Sequence, residues 1–163
     1  MKHETYLSLG SNLGNKKLQI DNAIQLIADR VGEVIKQSSW YETSPWGFSS
    51  DDNFLNIALK VNTNLWAEEV FQNIAGIEQQ LGRKRKGVGY ASRVIDIDIL
   101  FYDDCVINQE SLTIPHPRLH LRRFVLIPMN EIEPDLIHPI LNKSIKLLLS
   151  ECPDNGIVTK FTQ

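Results

Sequence analysis

Alternating and helically spaced apolar positions divide the chain into a succession of elements. In "TYLSLGS" (5–11), Leu7 and Leu9 fall on one side and Tyr6, Ser8 and Gly10 on the other, the period of a strand with one buried face. "GSNLGN" breaks that strand, with Gly10 and Gly14 supplying turn freedom. Ile20, Ile24, Ile27 and Val31 then recur at helical steps, and Gly32 ends the helix. "VIKQSSWYET" predicts a second strand, and the turn-rich "SPWGFSSDDN" (44–53) a mobile loop. "FLNIALKVN" alternates cleanly: Leu55, Ile57, Leu59 and Val61 face a core, while Phe54, Asn56, Ala58 and Lys60 face away. A second helix is expected after Asn64 as its cap, with Glu68 and Glu69 in its first turns, a stripe of Val70, Ile74, Ile77 and Leu81, and Gly82 closing it. "SRVIDIDILFYDD" (92–104) is a further strand, with Ile95, Ile97, Ile99 and Phe101 on its apolar face and Asp96 and Asp98 opposite. "LTIPHPRLHLRRFVLIPM" predicts a loop and one more strand, and "SIKLLLSEC" a last helix.

Strand, helix, strand, strand, helix, strand is the split βαβ order of a ferredoxin-like α+β fold. The expected architecture is a mostly antiparallel sheet with helices on one face and an open polar face. Three strands contribute to that open face: Tyr6, Ser8 and Gly10, then Phe54 and Asn56, then Asp96 and Asp98. The strands that carry them are inferred to be neighbours.

At 163 residues, 42% hydrophobic and 23% charged, the chain has the size and composition of one globular domain, expected to span 1–163. A net charge of −3 argues against general attraction to nucleic acid or membrane, so any anion site must be local. Cys105 and Cys152 do not form a disulfide framework, and "MKHETYLSLGSN" lacks the apolar run of a signal peptide. The expected compartment is a reducing cytoplasm.

Carboxylates at i and i+2 of a strand start about 6.7 Å apart and repel by roughly 2–3 kcal/mol at an effective dielectric near 20. A solvated sheet face would tolerate that pair. A divalent cation shared by Asp96 and Asp98, with substrate phosphates completing its oxygen shell, would exploit it. The stretch alone leaves both open. Just upstream, "GRKRKGVGYASR" (82–93) holds Arg83, Lys84, Arg85, Lys86 and Arg93 without one acid. Most charge runs are solvated surface. This one feeds into the carboxylate strand, and cations beside metal-binding carboxylates suit a polyphosphate. "IPHPRLHLRRF" adds His116, Arg118, His120, Arg122 and Arg123, a second group able to face an anion. Phe54 and Phe124 are each, singly, better read as core. On an open face, however, Phe54 would stack a flat heterocycle while Asn56 reads its edge as donor and acceptor.

Taken together, "LGSNLG", "YETSPWG", "FLNIALKV", "IEQQLGRKR", "SRVIDIDILFYDD" and "LTIPHPRLHLRRFVLIPM" resemble the hydroxymethyl-dihydropterin pyrophosphokinase family over nearly the whole chain. The resemblance implies transfer of a pyrophosphoryl group from ATP to 6-hydroxymethyl-7,8-dihydropterin in folate biosynthesis, with AMP as the other product. It also implies two Mg²⁺ ions at Asp96 and Asp98. It places Glu78, Arg83, Arg85, Arg93, His116 and Arg122 toward ATP, with Arg85 and Arg93 clamping the phosphates beside the aspartates as catalytic groups. Gly10, Asn12, Thr43, Pro45, Trp46, Phe54, Asn56 and Phe124 match the pterin pocket. Loops 44–53 and 82–92 would close over ATP. Gly89 and Tyr90 depart from the family's usual basic residue and tryptophan. A monomer acting on small molecules, without nucleic acid or membrane, is expected. Two rivals share parts of the pattern: a two-metal phosphohydrolase, and a ferredoxin-like nucleic-acid module, which would lack paired aspartates and carry an RNP1 motif.

Overall fold

The computed structural model describes residues 2–44, 53–82 and 94–161. Its elements are β1 (His3–Ser11), α1 (Lys16–Arg30), β2 (Gly32–Gln37), β3 (Tyr41–Thr43), β4 (Phe54–Thr63), α2 (Ala67–Gln80), β5 (Asp96–Tyr102), β6 (Ile107–Asn108), β7 (Thr113–Ile114), a one-turn 3₁₀ helix (Leu119–Leu121), α3 (Arg123–Ile132), α4 (Ile145–Ser150) and β8 (Val158–Lys160). The main sheet runs β5-β1-β4-β3-β8, with β2 also on β4, and every pairing in it is antiparallel. The ferredoxin-like order follows directly, with β5 and β4 on either side of β1.

The first helix starts where Asn15 accepts the N–H of Leu18, and it buries Ile20, Ala23 and Ile27. The second does not use Asn64 as its cap: it begins at Ala67, and the Glu69 carboxylate reaches back to the N–H of Trp66. With Leu7, Leu9, Ile57, Leu59, Val61, Ile97 and Ile99 from the sheet, these helices enclose the larger core. Each fully buried Leu or Ile contributes about 1.5–3 kcal/mol by leaving water. β2 crowds β4 at Gly32, where a Cβ would lie 2.0 Å from the carbonyl oxygen of Asn62, so only glycine fits.

Three further expectations are corrected. The strand expected across 34–43 is two strands, because Ser38 leaves the ladder to bond Ala58 twice: its N–H donates to the Ala58 carbonyl and its hydroxyl accepts the Ala58 N–H. Phe101 does not share the face of Ile95, Ile97 and Ile99. Leu7 pairs with Ile99 but Tyr6 pairs with Phe101, so Leu100 is an extra residue and the bulge turns Phe101 to the opposite face. The run after Arg122 is a helix rather than a strand. Val125, Met129 and Ile132 bury one face at helical spacing, despite Pro128 within it, and a short apolar run fits either period.

The first sheet face carries α1 and α2, as expected. The other face has two ends. Over Tyr6, Ala58 and Phe101, α3 and α4 form a second core. The remainder of that face carries the row described next.

Candidate active site

Strand register brings the sequence-expected groups together. Gly10 of β1 pairs with Asn56 of β4 on one side and with Asp96 of β5 on the other. One step along, Ser8 pairs with Ala58 and Asp98. Directly paired residues share a face, so Asp96, Asp98, Ser8, Gly10 and Asn56 all lie on one side of three adjacent strands. At two strand spacings, the Asp96 and Asn56 backbones are about 10 Å apart. Gly10 keeps the ground between them clear: a Cβ there would stand 2.8 Å from Asn56 Oδ1.

The Asn56 side chain is buried and held. Its Nδ2 donates to Thr43 Oγ1 at 3.1 Å, which leaves Oδ1 on the Gly10 side. Thr43 pairs with Phe54 across β3 and β4, so the expected aromatic and its polar neighbours share one corner of the sheet. Asn12 is buried just past the end of β1. On the other flank, α3 lies against β4 and begins at Arg123. The Arg122 guanidinium sits over the Phe124 ring, 5.8 Å from its centroid. A cation expected at ATP and an aromatic expected at the pterin are thus neighbours.

Glu78 is buried under β5, where its Oε2 accepts the N–H of Ile97 at 2.8 Å. Ile97 lies between the two aspartates on an edge strand, so α2 fixes the piece of backbone that presents both carboxylates. His116 N–H bonds the carbonyl of Leu100, and its Nδ1 accepts the N–H of Arg118. That acceptor role places the proton of the neutral ring on Nε2. Burial pushes the His116 pKa down, Arg122 and Arg118 push the same way, and Asp96 opposes them. A neutral imidazole with a donor on Nε2 follows.

Some features of the site escaped the sequence. A cavity of about 260 Å³ opens off the outer edge of β5 between Phe71 and Ile74 of α2, Leu112 and Thr113 of the β6–β7 hairpin, and Asp98 and His116. Two-residue strands carry no periodicity, so the hairpin had no signal to find. Glu131 of α3 binds the β2–β3 connection: it accepts the N–H and hydroxyl of Ser39 and, at 2.6 Å, the hydroxyl of Tyr41. Pro45 and Trp46, the basic residues Arg83, Arg85 and Arg93, and all but the end residues of the loops expected to close over ATP lie outside the described residues.

Among the described residues, no group of three or more His, Cys, Asp and Glu side chains is placed to hold a metal. A pair of same-face carboxylates whose remaining ligands are phosphate and water oxygens fits Mg²⁺, which rarely occupies an all-protein cage. No helix among the described residues is long and apolar enough to cross a membrane.

A family model described as 7,8-dihydro-6-hydroxymethylpterin-pyrophosphokinase (HPPK) matches residues 6–134. The chain belongs to the HPPK family. It is 43% identical over 141 residues to the 2-amino-4-hydroxy-6-hydroxymethyldihydropteridine pyrophosphokinase of Aquifex aeolicus, covering 86% of this chain and 87% of that one. The Methylorubrum extorquens protein of the same name is 37% identical, covering 93% and 95%. Relatives also include the folic acid synthesis protein fol1 of Pneumocystis carinii, 41% identical, of which this chain spans only 20%. Among solved structures, a Plasmodium falciparum HPPK-DHPS chain superposes with a TM-score of 0.75 at 18% identity, covering 93% of this chain and 43% of that one. At that identity the superposition speaks for the fold, and this chain spans less than half of those solved HPPK-DHPS chains.

Proposed function

We propose that this chain transfers the pyrophosphoryl group of ATP to the hydroxymethyl oxygen of 6-hydroxymethyl-7,8-dihydropterin, with the row Asp96–Gly10–Asn56 as the floor of the site. The register that carries Asp96 and Asn56 to opposite ends of a side-chain-free gap is the observation that supports this reading. Asn56, fixed by Thr43, reads the pterin edge, with Phe54 and Phe124 as stacking partners beside Gly10, Asn12, Pro45 and Trp46. Asp96 and Asp98 hold two Mg²⁺ ions, which when bound neutralise phosphate charge and lower the pKa of the pterin hydroxyl. Arg83, Arg85, Arg93 and Arg122 clamp phosphate oxygens, and His116 donates from Nε2 without adding charge.

The adenine base fits the cavity beyond Asp98, between Phe71 and Leu112, where apolar walls meet a polar mouth. Glu78 acts through the β5 backbone, so its contribution to ATP is to place the aspartates. Phosphoryl-type transfer leaves little covalent work to side chains, and positioning with charge neutralisation supplies the rate. The described elements act as one catalytic unit in this reading, a monomer in the cytoplasm.

Incubation with ATP, Mg²⁺ and hydroxymethyl-dihydropterin should give AMP and pterin diphosphate in equal amounts. Release of inorganic phosphate or ADP, independent of the pterin, would replace this reading with phosphate-ester hydrolysis.

A further inference from the structure

The family match ends at residue 134, yet the chain beyond it touches both walls of the site. We propose that Asp154 is a positioning residue for the pterin pocket: its carboxylate fixes the start of α3, and the segment that follows it orders β3. Asp154 Oδ2 accepts the N–H of Arg123 at 3.0 Å, and Oδ1 accepts the N–H of Gly156 at 2.8 Å. Arg123 is the first residue of a ten-residue helix, so its N–H has no partner inside that helix, and Arg122 at the cap position makes no side-chain capping bond. A carboxylate at this place satisfies an orphan donor and opposes the positive end of the helix dipole.

Arg123 stands between Arg122 and Phe124, so the bond governs where both side chains enter the site. Four residues later, β8 pairs antiparallel with β3, placing Val158 opposite Thr43 and Lys160 opposite Tyr41. The Phe161 N–H then bonds the carbonyl of Trp40. Thr43 is the partner that orients Asn56. One short segment therefore fastens the helix bearing Phe124, 31 positions upstream of Asp154, and the strand that aims Asn56, over 100 positions upstream of β8. A site held from both flanks does not have to order them when ligand arrives, which is the physical route from a remote bond to affinity. This inference rests on the reading of the pocket as a pterin site.

The test uses the full chain and calorimetric binding of hydroxymethyl-dihydropterin, with and without a non-hydrolysable ATP analogue and Mg²⁺. Asp154→Ala should weaken pterin binding about fivefold, the scale of one lost helix cap. Asp154→Asn keeps an acceptor oxygen and should stay within about twofold of wild type. Ser144→Ala, which removes the α4 cap on the N–H of Leu147 and leaves the bond to Arg123 and the β8–β3 pairing in place, should lower Tm but leave pterin binding within about twofold. If Asp154→Ala does not fold, Asp154→Ser, too short to reach Arg123, takes its place in the same comparison. Pterin affinity unchanged in the Ala or Ser variant, or weakened equally by Ser144→Ala, overturns the positioning role. A wild-type chain that binds no pterin overturns the pocket reading itself, a different result from wild-type binding with an indifferent Asp154.

Discussion

The two ends of one sheet face are built from the same strands to opposite purposes. At the end beneath α3, Glu133 is surrounded: Lys60 Nζ lies 2.9 Å away, the Tyr6 hydroxyl donates at 3.1 Å, and Lys36 approaches to 3.4 Å. Burial pushes Glu133 up, but the hydrogen bond and charge of Lys60, with Tyr6 and Lys36 behind them, hold it below the usual carboxylate range. Four residues further along β1 and β4 from Tyr6 and Lys60, Gly10 and Asn56 replace bulk with space, and β5 contributes two like charges on successive same-face positions. The covered end minimises its own electrostatic energy. The row end gathers two carboxylates, a side-chain-free gap and a held amide on one face, the groups that the proposed polyphosphate, metal and heterocycle would engage. Stability and function are separated along a strand rather than between layers.

The largest effect that would break this comparison lies at the aspartates. Asp96→Ala and Asp98→Ala should each lower kcat by more than about two orders of magnitude, as loss of a group acting on the transferring phosphates does. Neither side chain belongs to the buried core, so each variant should stay folded without ligand. Normal Mg²⁺-dependent turnover in either variant would dissolve the contrast between the two ends.

The pterin side should respond by affinity instead. Asn56→Leu keeps similar volume but leaves paired pterin groups without partners, at about 1–3 kcal/mol for each neutral group so buried. Pterin Kd should rise at least about tenfold while MgATP binding alone stays near wild type. Weakened ATP with an intact pterin Kd would mean that the row has been assigned to its ligands in the wrong order.

What the sequence made legible were features with a period. Alternation in "TYLSLGS", "FLNIALKVN" and "VIDIDI" placed Gly10, Asn56 and the aspartates on one face, and the register then made them a row. The spacing of Ile20, Ile24 and Ile27 and of Val70, Ile74 and Ile77 marked both helices beneath the sheet. Features set by single long-range bonds left no periodic trace. Nothing near Leu100 announces the bulge that turns Phe101 over. Asp154 and β8 belong to a stretch with no repeated pattern, and their partners lie 31 to about 120 positions away. The α3 run was ambiguous for a different reason: five apolar residues in six positions satisfy either period, and the docking of Val125, Met129 and Ile132 onto Tyr6 and Phe101 decides between them.

The smallest expected effect on catalysis comes from the covered end, and it sharpens the contrast. Glu133→Gln keeps shape and one acceptor but removes the nearer of the two carboxylates on Lys60, leaving Glu4 at 3.2 Å. It should cost about 1–3 kcal/mol of stability, the range for a charge-assisted bond in a part-buried setting, with kcat/KM close to wild type. The pH dependence follows from the sign of the shift. Glu133 titrates below its ordinary 4.5 in the folded chain, so its contribution is present above that pH and is lost as pH falls through the lower folded value. The stability gap between wild type and Glu133→Gln should therefore be full at neutral pH and shrink below about pH 4.5. Glu131 is shifted the same way by Tyr41 and Ser39, but it is present in both proteins and cancels in the difference. Denaturant melts at several pH values measure that gap. A gap that stays constant into acid would mean that Glu133 is not held by Lys60, and that the covered end stands on apolar packing alone.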